Sequence, residues 1–215
     1  LHSGRRSVAH LLEAAGLSVR LPGEARPVLE GLDLRLEPNA VAGVCGRSGA
    51  GKTTLLGALC GLVPWLRPAE LRGELRLDGE SLSGVDPGQR AHLIGTCLDR
   101  PDAQLFLPTV AHELAAASRL HGGDALQRAA EALGVERLAA RRITELSSGQ
   151  RQRVALVAAL AASPRPVLLD EPTAHLDADG VAALVQLLVE AAHRGGSFLI
   201  NEQAGWRLGP SAGRW

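Results

Sequence analysis

The sequence predicts an α/β domain in which a mainly parallel sheet carries helices on its faces. Three observations point there. Short apolar runs alternate with segments of helical composition along most of the chain. One such run, Val41 to Cys45, passes directly into a glycine-rich loop and then a helical stretch. Another, Val167 to Leu169, ends on two adjacent carboxylates, Asp170 and Glu171.

In chain order, residues 1–9 read as a short, partly disordered leader. Leu32, Leu34 and Leu36 alternate as in a half-buried strand, and Val41 to Cys45 is a buried one. Thr53 to Leu62 reads as a helix. Arg72 to Leu77 alternates again and closes at the turn pair Asp78-Gly79. Leu93 to Cys97 is the next buried strand. Ala111 to Leu120 and Ala125 to Leu133 are rich in Ala, Leu, Glu and Arg, with Gly122-Gly123 between them, and predict a helical subdomain inserted between strands. Gln150 to Ala162 reads as a helix, Val167 to Leu169 as a buried strand, Val181 to His193 as a helix and Ser197 to Ile200 as the last strand. The remainder, including Trp206 and Trp215, reads as a loosely ordered tail.

The 215 residues are 46% hydrophobic and 21% charged, enough for one α/β domain with a sizeable core. The formal net charge is zero, with 23 basic and 23 acidic residues, so no basic excess points to a nucleic-acid partner. No apolar run reaches the roughly 18–20 residues that span a bilayer, so work at a membrane requires another subunit to do the spanning. Three cysteines, Cys45, Cys60 and Cys97, lie in apolar stretches without metal-ligand spacing. They read as small core residues of a protein in a reducing cytosol. Lys52 is the only lysine, in a chain whose other strong bases are all arginine. It stands where an ammonium on a long stem suits a phosphate.

Lys52 belongs to Gly46-Arg47-Ser48-Gly49-Ala50-Gly51-Lys52-Thr53, a full G-x-x-x-x-G-K-[ST] phosphate loop with a strand before it and a helix after. Glycines allow backbone N–H groups to turn inward around a β-phosphate, and the helix N-terminus adds partial positive charge. The binding set is Gly46, Arg47, Ser48, Gly49, Ala50, Gly51, Lys52, Thr53 and Thr54, with ATP and Mg²⁺ as ligands. Lys52 reaches the β- and γ-phosphates and the Thr53 hydroxyl meets Mg²⁺. At the end of Val167-Leu168-Leu169, Asp170 suits Mg²⁺, and Glu171 suits a general base for the attacking water. Neighbouring strand residues face opposite ways, which lets the two carboxylates take different positions. A third motif, Leu146-Ser147-Ser148-Gly149-Gln150-Arg151-Gln152-Arg153, runs into a helix and is by itself an ordinary anion-friendly N-cap.

Together the three motifs resemble the phosphate loop, acidic strand end and signature sequence of ABC ATPases, over about residues 11 to 203, with Ser148 where the signature has its second glycine. The resemblance implies a P-loop NTPase core with an N-terminal antiparallel β part, together spanning 10–100 and 146–203. It places a helical subdomain at about 101–145 and a tail at 204–215, all within one domain over 1–215. It further implies head-to-tail pairing with a second cassette, identical or different. Ser147, Ser148, Gly149 and Gln150 then touch ATP held mainly by that partner. Ala174-His175-Leu176-Asp177 resembles the D-loop that links the two sites. The helical subdomain is expected to receive a membrane-spanning transporter subunit, with the cassette peripheral on the cytoplasmic face. Arg100-Pro101-Asp102-Ala103-Gln104-Leu105-Phe106-Leu107-Pro108-Thr109-Val110 resembles a stretch of energy-coupling-factor ATPases, which import vitamins, cobalt and nickel.

Three positions depart from the family pattern. Asp99 stands where the family has the Q-loop glutamine, and an aspartate can still ligate Mg²⁺. Gln203 stands at the switch histidine; it can donate a hydrogen bond to a γ-phosphate but carries no charge. Leu21 replaces the aromatic that stacks on adenine, forfeiting about 1–3 kcal/mol by analogy with base stacking. These changes fall on the site built on this chain's own phosphate loop. The expected activity is ATP hydrolysis driving an importer. The alternative is a cassette that binds ATP and completes a partner's site but turns over slowly itself. A soluble ABC protein of translation or DNA repair fits less well, because such proteins carry paired cassettes, coiled-coil insertions or basic arms.

Overall fold

The computed structural model describes residues 11–121, 123–162 and 165–202. The expected leader, the tail with its two tryptophans, and Gln203 lie outside the described residues.

Among the described residues, eight strands form two sheets. In chain order they are β1 (Leu12–Arg20), β2 (Leu29–Leu36), β3 (Val41–Val44), β4 (Glu70–Leu77), β5 (Glu80–Ser81), β6 (Gly95–Cys97), β7 (Pro166–Asp170) and β8 (Ser197–Asn201). One sheet has the order β2-β1-β4-β5, and its pairs are antiparallel. The other has the order β3-β8-β7-β6 and is wholly parallel. The helices are α1 (Lys52–Cys60), the short kinked α2 (Leu62–Trp65), α3 (Pro87–Ala91), α4 (Val110–His121), α5 (Asp124–Ala132), α6 (Ser148–Leu160) and α7 (Ala178–His193).

Strand β1 was not expected from the sequence, and its register explains why. Leu12, Ala14, Leu17 and Val19 are all buried, but the alternation slips by one between Ala14 and Leu17. The slip is a bulge at Gly16, whose φ is 60° and whose N–H donates to Asp33 Oδ1 at 2.7 Å. A two-residue period cannot be read through it. The turn pair Asp78-Gly79, with φ of 50° and 82°, joins β4 to β5 as a tight hairpin.

The central strands β7 and β8 are buried along their whole length. Val167, Leu169, Phe198 and Ile200 enter one core with residues of α4, α5, α6 and α7. Leu168 and Leu199 enter a second core with α1 and the antiparallel sheet. Burial on both faces is why these strands read as unbroken apolar runs. Val110, Ala129, Ala130 and Leu133 share the first core with α6, so α4 and α5 are packed on the parallel sheet's own hydrophobic layer.

Helix α3 was also unexpected. It places Arg90, only 5% exposed, beneath the end of α1. There its guanidinium donates to the carbonyls of Ala58, Leu59, Leu82 and Val85. Cys60 and Cys97 are buried as expected; Cys45 is not, because β3 ends at Val44 and Cys45 emerges with the loop. Among the described residues no helix is long and apolar enough to cross a membrane.

Candidate functional site

The loop that follows β3 turns through Arg47, whose carbonyl accepts from Ala50 N–H at 3.1 Å. It enters α1 at Gly51, which has φ 87° and no side-chain cap. A Cβ at Gly51 would stand 2.8 Å from Leu29 Cδ2 and 3.1 Å from the Val28 carbonyl, so only glycine brings the chain this close to β2. The first turn of α1 carries no acidic residue, which leaves its N-terminal partial charge uncompensated. Residues 46–50 are exposed, while Gly51, Lys52, Thr53 and Thr54 are half-buried. The Lys52 ammonium folds back over the loop and donates to the carbonyls of Gly46 at 2.9 Å and Arg47 at 3.1 Å. The arrangement places an uncapped helix N-terminus and an ammonium on one turn, which is anion-binding chemistry.

Asp170 ends β7 with no exposure at all. Asn201 Nδ2 donates to its Oδ1, while its buried Oδ2 has no hydrogen-bond partner. Burial pushes the carboxyl pKa up, and the charges of Asp99 and Glu171 add to the rise; the Thr53 hydroxyl and the Asn201 amide oppose it. The start of α1 and the ends of β7 and β8 therefore meet at Asp170, which also feels the charges of Glu171, next in the chain, and of Asp99 in the loop after β6. An unpaired buried carboxylate oxygen beside a threonine hydroxyl fits Mg²⁺, a hard cation that takes oxygen ligands and keeps waters and phosphates around it. No cluster of three or more His, Cys, Asp or Glu exists among the described residues, so any metal here depends on such added ligands.

Glu171 lies one residue beyond the strand. The sequence expectation relied on strand alternation to separate the two carboxylates; the separation instead comes from a turn. Glu171 has φ 46°, an uncommon conformation for a non-glycine residue. Its N–H donates to the Asn201 carbonyl at 2.8 Å, and its own carbonyl accepts from Ala174 N–H at 3.1 Å. Asp99 is exposed just after β6. Gln104, the nearest glutamine in sequence, is committed to β6: its Oε1 accepts from Leu98 N–H at 2.7 Å and its Nε2 donates to the Thr96 carbonyl at 3.2 Å.

The third motif forms the N-terminus of α6. Ser147 Oγ accepts from Gln150 N–H at 3.2 Å, and Gln150 Oε1 accepts from Ser147 N–H at 2.9 Å, a reciprocal capping box. Ser147 and Ser148 remain exposed. The turn is tied to the segment that follows Glu171. Buried Gln152 donates to the Pro172 carbonyl at 3.3 Å, and Arg153 pairs with Asp177 at 2.6 Å. Asp177 also caps α7 through Gly180 N–H at 2.9 Å. On the other side, Arg151 pairs with Asp102. Asn201, Gln152 and the Thr173–Glu202 hydrogen bond (2.9 Å) were not singled out in the sequence. The one legible signal was a polar residue, Asn201, ending the apolar run of β8.

A family model described as ABC transporter matches residues 29–174. The chain belongs to the ABC transporter family. A longer relative from Saccharolobus solfataricus, an ABC transporter ATP-binding protein, is 31% identical over 197 residues, covering 89% of this chain but 37% of its own length. The energy-coupling factor transporter ATP-binding protein EcfA of Methanoculleus marisnigri is 35% identical over 182 residues, 82% of this chain and 64% of that one. Among solved structures, cbiO1 of Clostridium perfringens, part of the complex cbiONQ, superposes with a TM-score of 0.70 at 26% identity, over 92% of this chain and 79% of that one. The chain spans 32 to 39% of the length of four longer relatives it matches. It carries the ATPase domain of the ABC transporter family, and its resemblance to energy-coupling-factor ATPases agrees with EcfA and cbiO1.

Proposed function

We propose that this ABC cassette binds Mg-ATP at Gly46–Thr54 and hydrolyses it to drive a membrane importer of the energy-coupling-factor type, with a vitamin or a metal as cargo. The observation that carries the reading is the hydrogen bond between Thr53, at the end of the phosphate loop, and buried Asp170, with Glu171 turned out of the strand one residue on. The loop N–H groups and the Lys52 ammonium hold the β- and γ-phosphates. The Thr53 hydroxyl and Asp170 Oδ2 hold Mg²⁺, which when bound neutralises charge on those phosphates. Glu171, turned out of the strand, accepts a proton from the attacking water at its carboxylate. The turn at Ser147, Ser148, Gly149 and Gln150, with both serines exposed, offers its α6 N-terminus to ATP on a second cassette, identical or different. A separate membrane-spanning subunit sits on the helical side, with this chain on the cytoplasmic face. The test is purification with the membrane subunit and second cassette, followed by assay of phosphate release. Release that depends on Lys52 and Glu171 supports the reading; release unchanged in both variants overturns it.

Asp99 favours a second reading. It adds negative charge beside Asp170 where the family has a neutral glutamine. With Leu21 and Gln203, it describes a cassette whose own site binds ATP and turns over slowly while its signature completes the partner's site. Gln203→His in the assembled complex is expected to raise phosphate release, and no gain counts against slow turnover at this site.

A further inference from the structure

Asn201 is 1% exposed and ends β8, directly across from Asp170 in the parallel register. It touches both carboxylates' anchorage. Its backbone carbonyl accepts the Glu171 N–H at 2.8 Å, and its side-chain Nδ2 donates to Asp170 Oδ1. The ladder alone does not ask for asparagine, since Phe198, Leu199 and Ile200 before it are apolar and equally buried. What its side chain adds is one donor and one acceptor in a buried position. The acceptor, Asn201 Oδ1, is buried and has no hydrogen-bond partner; the same holds for Asp170 Oδ2. Two adjacent side chains thus satisfy each other with one atom apiece and leave one oxygen apiece unpaired. Buried acceptors are rarely left so unless a ligand or an ordered water completes them.

The geometry points to Asn201 as a positioning residue for the Mg²⁺ of the phosphate site: its amide holds the Asp170 carboxyl by Oδ1 and leaves Oδ2 for the cation, and its own Oδ1 would accept from the cation's water shell. This rests on the Mg-ATP reading above. The residue type follows from the charges. A carboxylate at 201 would add to the negative charge of Asp99 and Glu171 that Asp170 already meets. A leucine would leave Asp170 free to rotate. Asparagine alone among side chains of this size is neutral and offers a donor and an acceptor on one planar group.

The test uses the full chain and a fluorescent ATP analogue, titrated first in EDTA and then with increasing Mg²⁺. Asn201→Leu keeps the volume and removes both polar atoms. Its affinity in EDTA is expected to stay within about twofold of wild type, while the Mg²⁺ midpoint rises about tenfold or more, the range for losing a residue that orients a metal ligand. Should the leucine variant fail to fold, Asn201→Ala is read in the same way with the same expectation. Unchanged Mg²⁺ midpoints in a folded variant overturn the inference, as does an equal loss with and without Mg²⁺, which marks a packing role. Wild-type binding that ignores Mg²⁺ overturns the Mg-ATP reading as well. A normal wild-type response with the same Mg²⁺ midpoint in the folded variants overturns the Asn201 assignment alone.

Discussion

The α-carbon of Gly149 faces the carbonyl of His175 so closely that a Cβ would lie 2.7 Å from that oxygen. Two motifs far apart in sequence, the cap of α6 and the loop leading into α7, are therefore in backbone contact. Gly149→Ala must push them apart, because the obstacle is main chain and cannot swing away. The expected cost is about 1–3 kcal/mol of stability, as for other overpacked sites, read as a lowered urea midpoint with an unchanged slope. Phosphate release by the assembled complex is expected to fall further than stability alone explains, because the displaced turn is the one proposed to meet the partner's nucleotide. A variant as stable as wild type would show that the loop yields without strain.

Lys52 is the second prediction. Its ammonium is held by two loop carbonyls, Gly46 and Arg47, which keeps it over the turn that would receive the phosphates. Lys52→Ala removes charge-assisted contacts worth about 1.5–3 kcal/mol, so ATP affinity should drop about tenfold to a hundredfold by calorimetry. The fold should survive, since Lys52 is only half-buried. Unaltered affinity would remove the phosphate-loop assignment.

Asp177 gives a pH prediction. Gly180 N–H lowers its pKa most, with Arg153 adding to the effect. A carboxyl whose folded pKa is depressed stabilises the fold above its unfolded value and loses that contribution as pH falls through the folded one. The advantage of wild type over Asp177→Ala should therefore be full at neutral pH and shrink below the ordinary aspartate value of 3.8. The pair is exposed, so high salt should trim the Arg153 share and spare the backbone cap. Stability curves of the two proteins from pH 7 to 3 check this; a constant gap would assign the loss to something other than the carboxylate's charge.

The parts of the site that were legible in the sequence are those held by local chemistry. The phosphate loop is contiguous, its glycines have backbone reasons to be there, and β7 announces itself as a run buried on both faces. The chain around Ser147 is legible as a helix cap for the same reason. What the sequence hid is what strand pairing creates. Asp170 and Asn201 are brought together only because β7 and β8 are neighbours in a parallel register. Strand β1 was hidden by its bulge at Gly16, and Arg90 by the fact that its partners are carbonyls, which leave no trace in residue type. The placement of Glu171 comes from a positive φ, which residue type does not announce, rather than from strand alternation.

The three cysteines supply the last prediction, because the structure separates them where composition did not. Cys97 is fully buried, and burial pushes its thiol pKa up to about 12, with the charge of Asp170 adding to the rise. Burial likewise raises Cys60. Thiolate is the reactive form, so neither should react at pH 8 while the fold is intact. Cys45 is exposed at the mouth of the phosphate loop and should react alone. A maleimide titration of native protein is expected to consume one thiol quickly, and all three once guanidinium unfolds the chain. ATP with Mg²⁺ should slow the single fast reaction, since Cys45 directly precedes Gly46. Labelling of Cys97 at the same rate as Cys45 would mean that the β6–β7 edge opens on the timescale of the reaction, and that the Asp170 site beside it is not held as dry as its burial implies.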